Sequence, residues 1–191
     1  MESTLTADTI KTNASKYFKT AEKYGFMTPE LMDFLGVDIV KSPATTKLDS
    51  YNAYDGGLIA HLLNVTSYAL KLNDIVPDHL QVDRASLIKV CLLHQIGKIK
   101  MFYPNPSKWH RDNQGKMYEF TDDLVSMKVG ERSAFYAMKY GVKLSEVEYQ
   151  AIMNYDKDDT DRQAKWHSEP LAIILRQAHD LAIMDAKNPV E

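Results

Sequence analysis

Apolar residues recur at helical spacing along most of the chain, and this periodicity constrains the fold more than any other feature. It predicts amphipathic helices over 3–24, 29–35, 58–72, 84–96, 123–140, 145–155 and 170–186. Gly25, Gly36 and Gly141 each follow one of these segments, in the place where glycine commonly ends a helix. The sequence therefore predicts an all-α fold.

Residues 100–120 interrupt this pattern. Met101-Phe102-Tyr103 and Lys116-Met117-Tyr118-Glu119-Phe120 have the composition of β-strands, and Asn113-Gln114-Gly115 between them has the composition of a turn. We therefore expect a small β-hairpin on the surface of the helical domain.

The length of 191 residues suits one domain. We predict that residues 1–36 form N-terminal helices packed on a domain that comprises residues 37–191. These amphipathic N-terminal helices could equally pack on another subunit, so a homo-oligomer is an alternative.

Charge and cysteine content narrow the partners and the compartment. The net charge is −3 and no basic patch stands out, which argues against a nucleic-acid partner. No apolar run approaches the length of a membrane span, and the N-terminus lacks the features of a signal peptide. The single cysteine, Cys91, cannot form an internal disulfide. We expect a cytoplasmic protein with no membrane partner.

Three polar residues, His61, His94 and Asp180, stand in apolar surroundings on three different predicted helices. Imidazole and carboxylate groups that converge from separate elements are the usual ligands of a divalent metal. Each residue also has an ordinary interpretation, as a hydrogen-bonded core histidine or as a carboxylate that pairs with a lysine. The residues alone leave both interpretations open. His167 and His179 are interpreted as structural or exposed.

Five segments are similar, in order, to motifs of one known family. They are Ser42-Pro43-Ala44-Thr45-Thr46-Lys47, Ala53-Tyr54-Asp55-Gly56-Gly57-Leu58-Ile59-Ala60-His61, Leu92-Leu93-His94-Gln95-Ile96-Gly97-Lys98-Ile99, Gly130-Glu131-Arg132-Ser133 and Ala178-His179-Asp180. On these segments the chain resembles the HD-domain superfamily, whose members are mostly metal-dependent phosphohydrolases, in particular its small bacterial and phage hydrolases. The resemblance covers about residues 42–185 and implies an HD-type helical bundle.

The resemblance implies that His61, His94 and Asp180 are metal ligands. Gln95 stands where the family has the aspartate of its His-Asp pair, and its amide oxygen can coordinate a metal but carries no charge. The implied ion is Mn²⁺, Mg²⁺, Co²⁺ or Ni²⁺, held more weakly than in the family, and a site without any ion is the alternative.

Two further departures argue against a second metal ion. Val129 replaces a family histidine and cannot ligate, and Tyr155 aligns with another family histidine. The acidic segment 156–161 could supply a carboxylate, although such runs are more typical of solvated loops.

The resemblance also implies contacts with a phosphorylated substrate. Lys98 and Arg132 match positions that imply catalytic and substrate-binding roles, and Glu131 matches a substrate-binding position. The alternatives are a helix-terminal charge for Lys98 and an ordinary surface ion pair for Glu131 and Arg132. Trp109-His110-Arg111 is a weaker candidate for base or phosphate binding.

Three functions follow from these patterns. The first is a degenerate HD-domain protein, or pseudoenzyme, with weak or no hydrolysis that binds a nucleotide or another phosphorylated small molecule. The second is an active one-metal phosphohydrolase that acts on nucleotides or related phosphate esters. The third is a structural or interaction protein that uses the HD fold as a scaffold.

Overall fold

The described part of the chain, residues 5–157 and 169–188 of a computed structural model, is built mainly from α-helices. This confirms the predicted all-α class. The helices are α1 (Ala7–Lys23), α2 (Pro29–Leu35), α3 (Asp38–Lys41), α4 (Gly57–Ile75), α5 (Arg84–Leu93), α6 (Lys108–Gln114), α7 (Val129–Lys139), α8 (Glu146–Asn154) and α9 (Pro170–Lys187). Short 3-10 turns cover Asp78–Leu80 and Ile96–Lys98.

The core is formed where α4 packs against α5 and α9. Each of these helices buries aliphatic side chains toward the others, and burial of such a side chain contributes about 1.5–3 kcal/mol. Helix α1 joins the same core, since Tyr17 is fully buried and its hydroxyl donates to the Leu92 carbonyl over 3.1 Å. The predicted division at residue 37 stays a prediction.

Helix α4 begins at two glycines that its surroundings require. Gly56 has a φ of +78°, in the left-handed region that favours glycine. A Cβ on Gly57 would lie 2.1 Å from the Asn52 carbonyl oxygen, so the backbone can pass Asn52 only with glycine there. This close approach fixes where α4 starts, and α4 carries His61.

Helix α5 ends at Leu93, three residues before the predicted end, and the chain tightens into the 3-10 turn Ile96–Lys98. Gly97 in this turn packs directly on α7, where an added Cβ would lie 2.7 Å from the Val129 carbonyl oxygen. Helix α7 also begins later than predicted, at Val129 instead of residue 123. These boundaries are set by the contact between the turn and α7.

The predicted strands are present, but the segment between them differs from a tight hairpin. Strand β1 (Phe102–Pro104) pairs antiparallel with β2 (Tyr118–Phe120). Helix α6 occupies the connection, and Gly115 ends it in the left-handed conformation, with a φ of 59°. The residues that suggested a hairpin turn are therefore the end of a short helix.

Helices α4 and α9 are the longest described helices, with 19 and 18 residues. Helix α9 carries charged side chains through much of its length, among them Arg176, Asp180 and Asp185. Within residues 5–157 and 169–188, no helix combines the length and the apolar character needed to cross a membrane.

Candidate metal centre

Three histidines from three parts of the bundle meet in the core. His61 lies on α4, His94 directly follows α5, and His179 lies on α9. One ring nitrogen from each lies within 4.8 Å of those of the other two. His61 and His94 are fully buried and His179 is 7% exposed. Three buried imidazoles at this spacing form a donor set that can hold a metal ion.

His179, and not Asp180, completes this cluster. Asp180 is exposed, because one step along an α-helix turns the side chain by about 100° around the axis. The structure thus brings His179 instead of Asp180 beside His61 and His94, and it buries His179, which the sequence left as structural or exposed. The assignment of metal ligands stays a prediction. A signal was present in the sequence, since the closing Ala-Asp of the family matches Ala178-His179 by position.

The hydrogen bonds of the cluster leave two imidazole nitrogens without a partner among the described residues. The Nδ1 of His94 lies 2.8 Å from the Cys91 carbonyl oxygen, so Nδ1–H is the donor and Nε2 carries a lone pair. That Nε2 and the Nδ1 of His61 have no hydrogen-bond partner among the described residues. The Nε2 of His61 lies 3.0 Å from the Nδ1 of His179. Buried polar atoms are nearly always paired, so these free nitrogens are consistent with a bound ion.

The cluster is electrically neutral near neutral pH. Burial lowers the pKa of His61 and His94 well below the ordinary 6.5, and neighbouring histidines and Lys98 add to the effect. Burial, with Lys98 as a second cause, lowers the pKa of His179 to about 3. Neutral imidazole is the form that binds metals, so protons do not compete with an ion at this site above mildly acidic pH.

Aromatic rings and one amide enclose the histidines. The ring centroid of Tyr51 lies 4.7 Å from that of His61, and the centroid of Tyr155 lies 4.7 Å from His94 and 4.9 Å from His179. Gln95 is 1% exposed; its amide nitrogen lies 3.4 Å from the Tyr155 hydroxyl. Its Oε1 atom has no partner among the described residues. Tyr155, which the resemblance aligns with a family histidine, therefore lines the same cluster.

Lys98 lies beside the cluster and is buried. Its Nζ donates to the Ala44 carbonyl oxygen over 2.6 Å and to the Tyr51 hydroxyl over 3.2 Å. Among the described residues, Lys98 forms no ion pair with a carboxylate. Its contact with a substrate phosphate stays a prediction, although the structure places the Lys98 side chain close to the histidines.

Glu131 and Arg132 make structural contacts at the start of α7. The Glu131 carboxylate accepts from the Lys128 backbone N–H over 3.0 Å, which caps the helix. The buried Arg132 guanidinium donates to the Val125 carbonyl oxygen. Neither residue belongs to the histidine cluster, and their predicted substrate contacts stay predictions.

The remaining candidates lie away from the cluster or outside the described residues. Asp158, Asp159, Asp161 and His167 are outside the described ranges, whereas Asp156 is described and exposed. On α6, Trp109 is 59% exposed, and the Arg111 guanidinium donates to the Asn105 carbonyl oxygen. These observations add no ligand to the histidine cluster.

Part of the chain is similar to a phosphodiesterase. It is 35% identical over 72 residues to the dihydroneopterin 2',3'-cyclic phosphate phosphodiesterase of Methanocaldococcus jannaschii. The match covers 37% of this chain and 28% of that protein, so the chain spans less than a third of its relative's length. No family model and no solved structure matches the chain. A distant, partial relationship to a phosphodiesterase is shown, and membership of the HD-domain superfamily stays a resemblance.

Proposed function

We propose that this chain is a metal-dependent phosphohydrolase of HD type that hydrolyses phosphate esters with a single ion held by His61, His94 and His179. The observation that carries the proposal is the convergence of three buried, neutral imidazoles from separate helices. The partial similarity to a phosphodiesterase supports phosphoester chemistry as the reaction class. His179 takes the place of Asp180 in the ligand set, so three ligands remain available to an ion.

The donor set fits an ion, because three neutral imidazoles lie together and His94 Nε2 retains a buried lone pair without a partner among the described residues. A divalent ion held by the three histidines would supply Lewis-acid polarisation of a phosphoryl oxygen and a bound water of lowered pKa. Of the chain's own groups, Gln95 Oε1 would be free to accept a hydrogen bond from a reactant, and the Lys98 ammonium would favour an anionic substrate.

The test is a panel of phosphate esters that includes a 2',3'-cyclic nucleotide, bis(p-nitrophenyl) phosphate and p-nitrophenyl phosphate. Each is incubated with the metal-stripped protein and one of Zn²⁺, Mn²⁺, Mg²⁺, Co²⁺ or Ni²⁺. We expect metal-dependent turnover that His94→Ala abolishes. His79→Ala is the matched control, because His79 is exposed and remote in sequence from the three cluster histidines. Turnover that persists in His94→Ala would contradict the proposal.

A second candidate is a binding module that holds a nucleotide or another phosphorylated molecule without hydrolysing it. The described cluster contains no carboxylate that could take a proton from water, and this observation favours the second candidate. Stabilisation of the protein by AMP or inorganic phosphate in thermal denaturation, with no turnover on the panel, would support it. A purely structural role predicts neither turnover nor stabilisation.

A further inference from the structure

We infer that the site selects Zn²⁺ over Mn²⁺ and Mg²⁺, an inference that rests on the metal site of the proposed function and names its ion. The family resemblance implied Mn²⁺, Mg²⁺, Co²⁺ or Ni²⁺, for a ligand set that included the Asp180 carboxylate. The structure replaces that carboxylate with the imidazole of His179. The choice of ion then follows from the donors, from their spacing and from their orientation.

The donor atoms are nitrogens without formal charge. Mg²⁺ and Mn²⁺ prefer carboxylate, carbonyl and water oxygens, whereas imidazole suits Zn²⁺ and its late first-row neighbours. Three histidines that leave a fourth position open are a known donor set of catalytic zinc. Gln95, which follows His94 directly, offers a neutral side-chain oxygen, Oε1. The amide nitrogen of Gln95 contacts the hydroxyl of Tyr155, whose ring packs on His94 and His179. A hard ion would therefore find no charged oxygen in the described cluster.

The spacing suits a small tetrahedral ion. Zinc–nitrogen bonds of about 2.0–2.1 Å at tetrahedral angles place the nitrogens about 3.3–3.4 Å apart. One nitrogen of each histidine lies within 4.8 Å of the others. The Nε2 of His61 and the Nδ1 of His179 lie 3.0 Å apart in a hydrogen bond, so an ion held by both nitrogens would replace the shared proton.

One ligand is oriented in advance. The hydrogen bond from His94 Nδ1 to the Cys91 carbonyl oxygen fixes the tautomer and the ring plane. Metal-binding histidines commonly use such a partner on the nitrogen opposite the ion. Since Cys91 and His94 both lie at the end of α5, this orientation is built into the helix and does not depend on a substrate.

The experiment measures metal binding directly. The full chain is stripped with a chelator, then titrated with ZnCl₂, MnCl₂ or MgCl₂, and the bound metal is counted by mass spectrometry after desalting. We expect one equivalent of Zn²⁺, bound on the order of 10³-fold more tightly than Mn²⁺. Co²⁺ is expected to give the intense visible absorption of a four-coordinate site.

Two neighbours on α9 provide a matched pair. His179→Ala is expected to remove Zn²⁺ binding, and His179→Asp to lower the preference for Zn²⁺ over Mn²⁺ by at least about tenfold. Asp180→Ala is expected to change neither affinity, since Asp180 is exposed. Circular dichroism establishes that each variant is folded. If His179→Ala does not fold, His179→Asp decides the question alone.

The outcomes separate this inference from the proposed function. Mn²⁺ or Mg²⁺ binding as tight as Zn²⁺ binding overturns the inference, as does an equal loss in Asp180→Ala and His179→Ala. If either result is found but the protein still hydrolyses phosphate esters with Mn²⁺, the phosphohydrolase proposal is unaffected. Tight Zn²⁺ binding with no turnover on the whole panel supports the inference and removes the phosphohydrolase proposal.

Discussion

The histidine cluster and the junction between the 3-10 turn Ile96–Lys98 and α7 are both buried and polar, and both adjoin the end of α5. At the junction, the Gly97 N–H donates to the Ser133 hydroxyl over 2.9 Å, and that hydroxyl donates to the Val129 carbonyl over 2.7 Å. In the cluster, His61 Nδ1 and His94 Nε2 have no partner among the described residues. The Gly97–Ser133–Val129 hydrogen bonds are thus satisfied within the fold, whereas the two imidazole nitrogens remain available to a ligand. The buried Arg132 Nε beside the junction also lacks a partner among the described residues.

The largest expected effect separates the two regions by their response to Zn²⁺. Zinc at about 1,000 times its Kd should raise the free energy of unfolding of the wild type by about 4 kcal/mol. His94→Ala should abolish this gain, because it removes a ligand. Ser133→Ala should keep it, while lowering the stability of the metal-free protein by about 1–3 kcal/mol because the Gly97 N–H loses its partner. Urea unfolding with and without Zn²⁺ measures both quantities.

If Ser133→Ala removed the zinc gain while the protein stayed folded, the two regions would be one coupled unit. If His94→Ala kept the gain, zinc would bind elsewhere on the chain. His79 is exposed, so His79→Ala is the control for zinc that binds at the surface.

The next effect is a dependence of the free energy of unfolding on pH, which we expect from the three cluster histidines and not from the junction. In the unfolded chain each imidazole gains a proton near its ordinary pKa of about 6.5, whereas burial holds the folded pKa of His61 and His94 well below that value and that of His179 at about 3. The unfolded state therefore binds more protons below about pH 6.5, so the free energy of unfolding falls as the pH drops further. The slope approaches about 1.4 kcal/mol per pH unit for each histidine well below about pH 6.5, which amounts to about 1.4 kcal/mol per histidine between about pH 7.5 and about pH 5.5.

Urea unfolding in the presence of a chelator, at about pH 7.5 and about pH 5.5, measures this slope. Replacing His61 with phenylalanine should reduce it by one histidine's share, and His79→Ala should leave the cluster's share intact. A free energy of unfolding that does not change over this range would show that the imidazoles are not held neutral.

Periodicity was sufficient for the helices because a buried helical face repeats every three to four residues whatever it packs against. It placed α4, α5 and α9 and hence two of the three histidines. It could not place the end of α5, because the 3-10 turn depends on how closely Gly97 approaches α7. The Gly115 segment was ambiguous for a similar reason, since a hairpin turn and the end of a helix use the same residues.

Asp180 was predicted as a ligand for its carboxylate and its match to the closing family motif, but the buried face of α9 includes Leu171 and Leu175. His179 lies four residues after Leu175 and shares that face, whereas Asp180 does not. The helical repeat in the sequence therefore already predicted that His179, and not Asp180, faces the core.

A smaller effect tests how tightly the junction is packed. In Gly97→Ala the added Cβ would lie 2.7 Å from the Val129 carbonyl oxygen and 2.9 Å from the Ser133 nitrogen, and backbone atoms cannot give way cheaply. We expect a loss of about 2–3 kcal/mol in the free energy of unfolding. Gly25→Ala is the comparison, because a Cβ there meets nothing within 4 Å and the cost of about 1 kcal/mol comes from its positive φ alone. Equal losses in the two variants would contradict the close packing.

The smallest effect decides between two roles for Glu131. Its carboxylate accepts from the Lys128 N–H, so Glu131→Ala should cost about 0.5–1 kcal/mol of stability. Glu131→Gln keeps an oxygen acceptor and should lose only a few tenths of a kcal/mol, from the charge at the helix N-terminus. If Glu131 instead contacts a substrate, as the family resemblance implies, Glu131→Gln should change ligand affinity or turnover while stability stays constant. Thermal denaturation and the phosphate ester panel, run on the same preparations, therefore show whether Glu131 caps α7 or contacts a substrate.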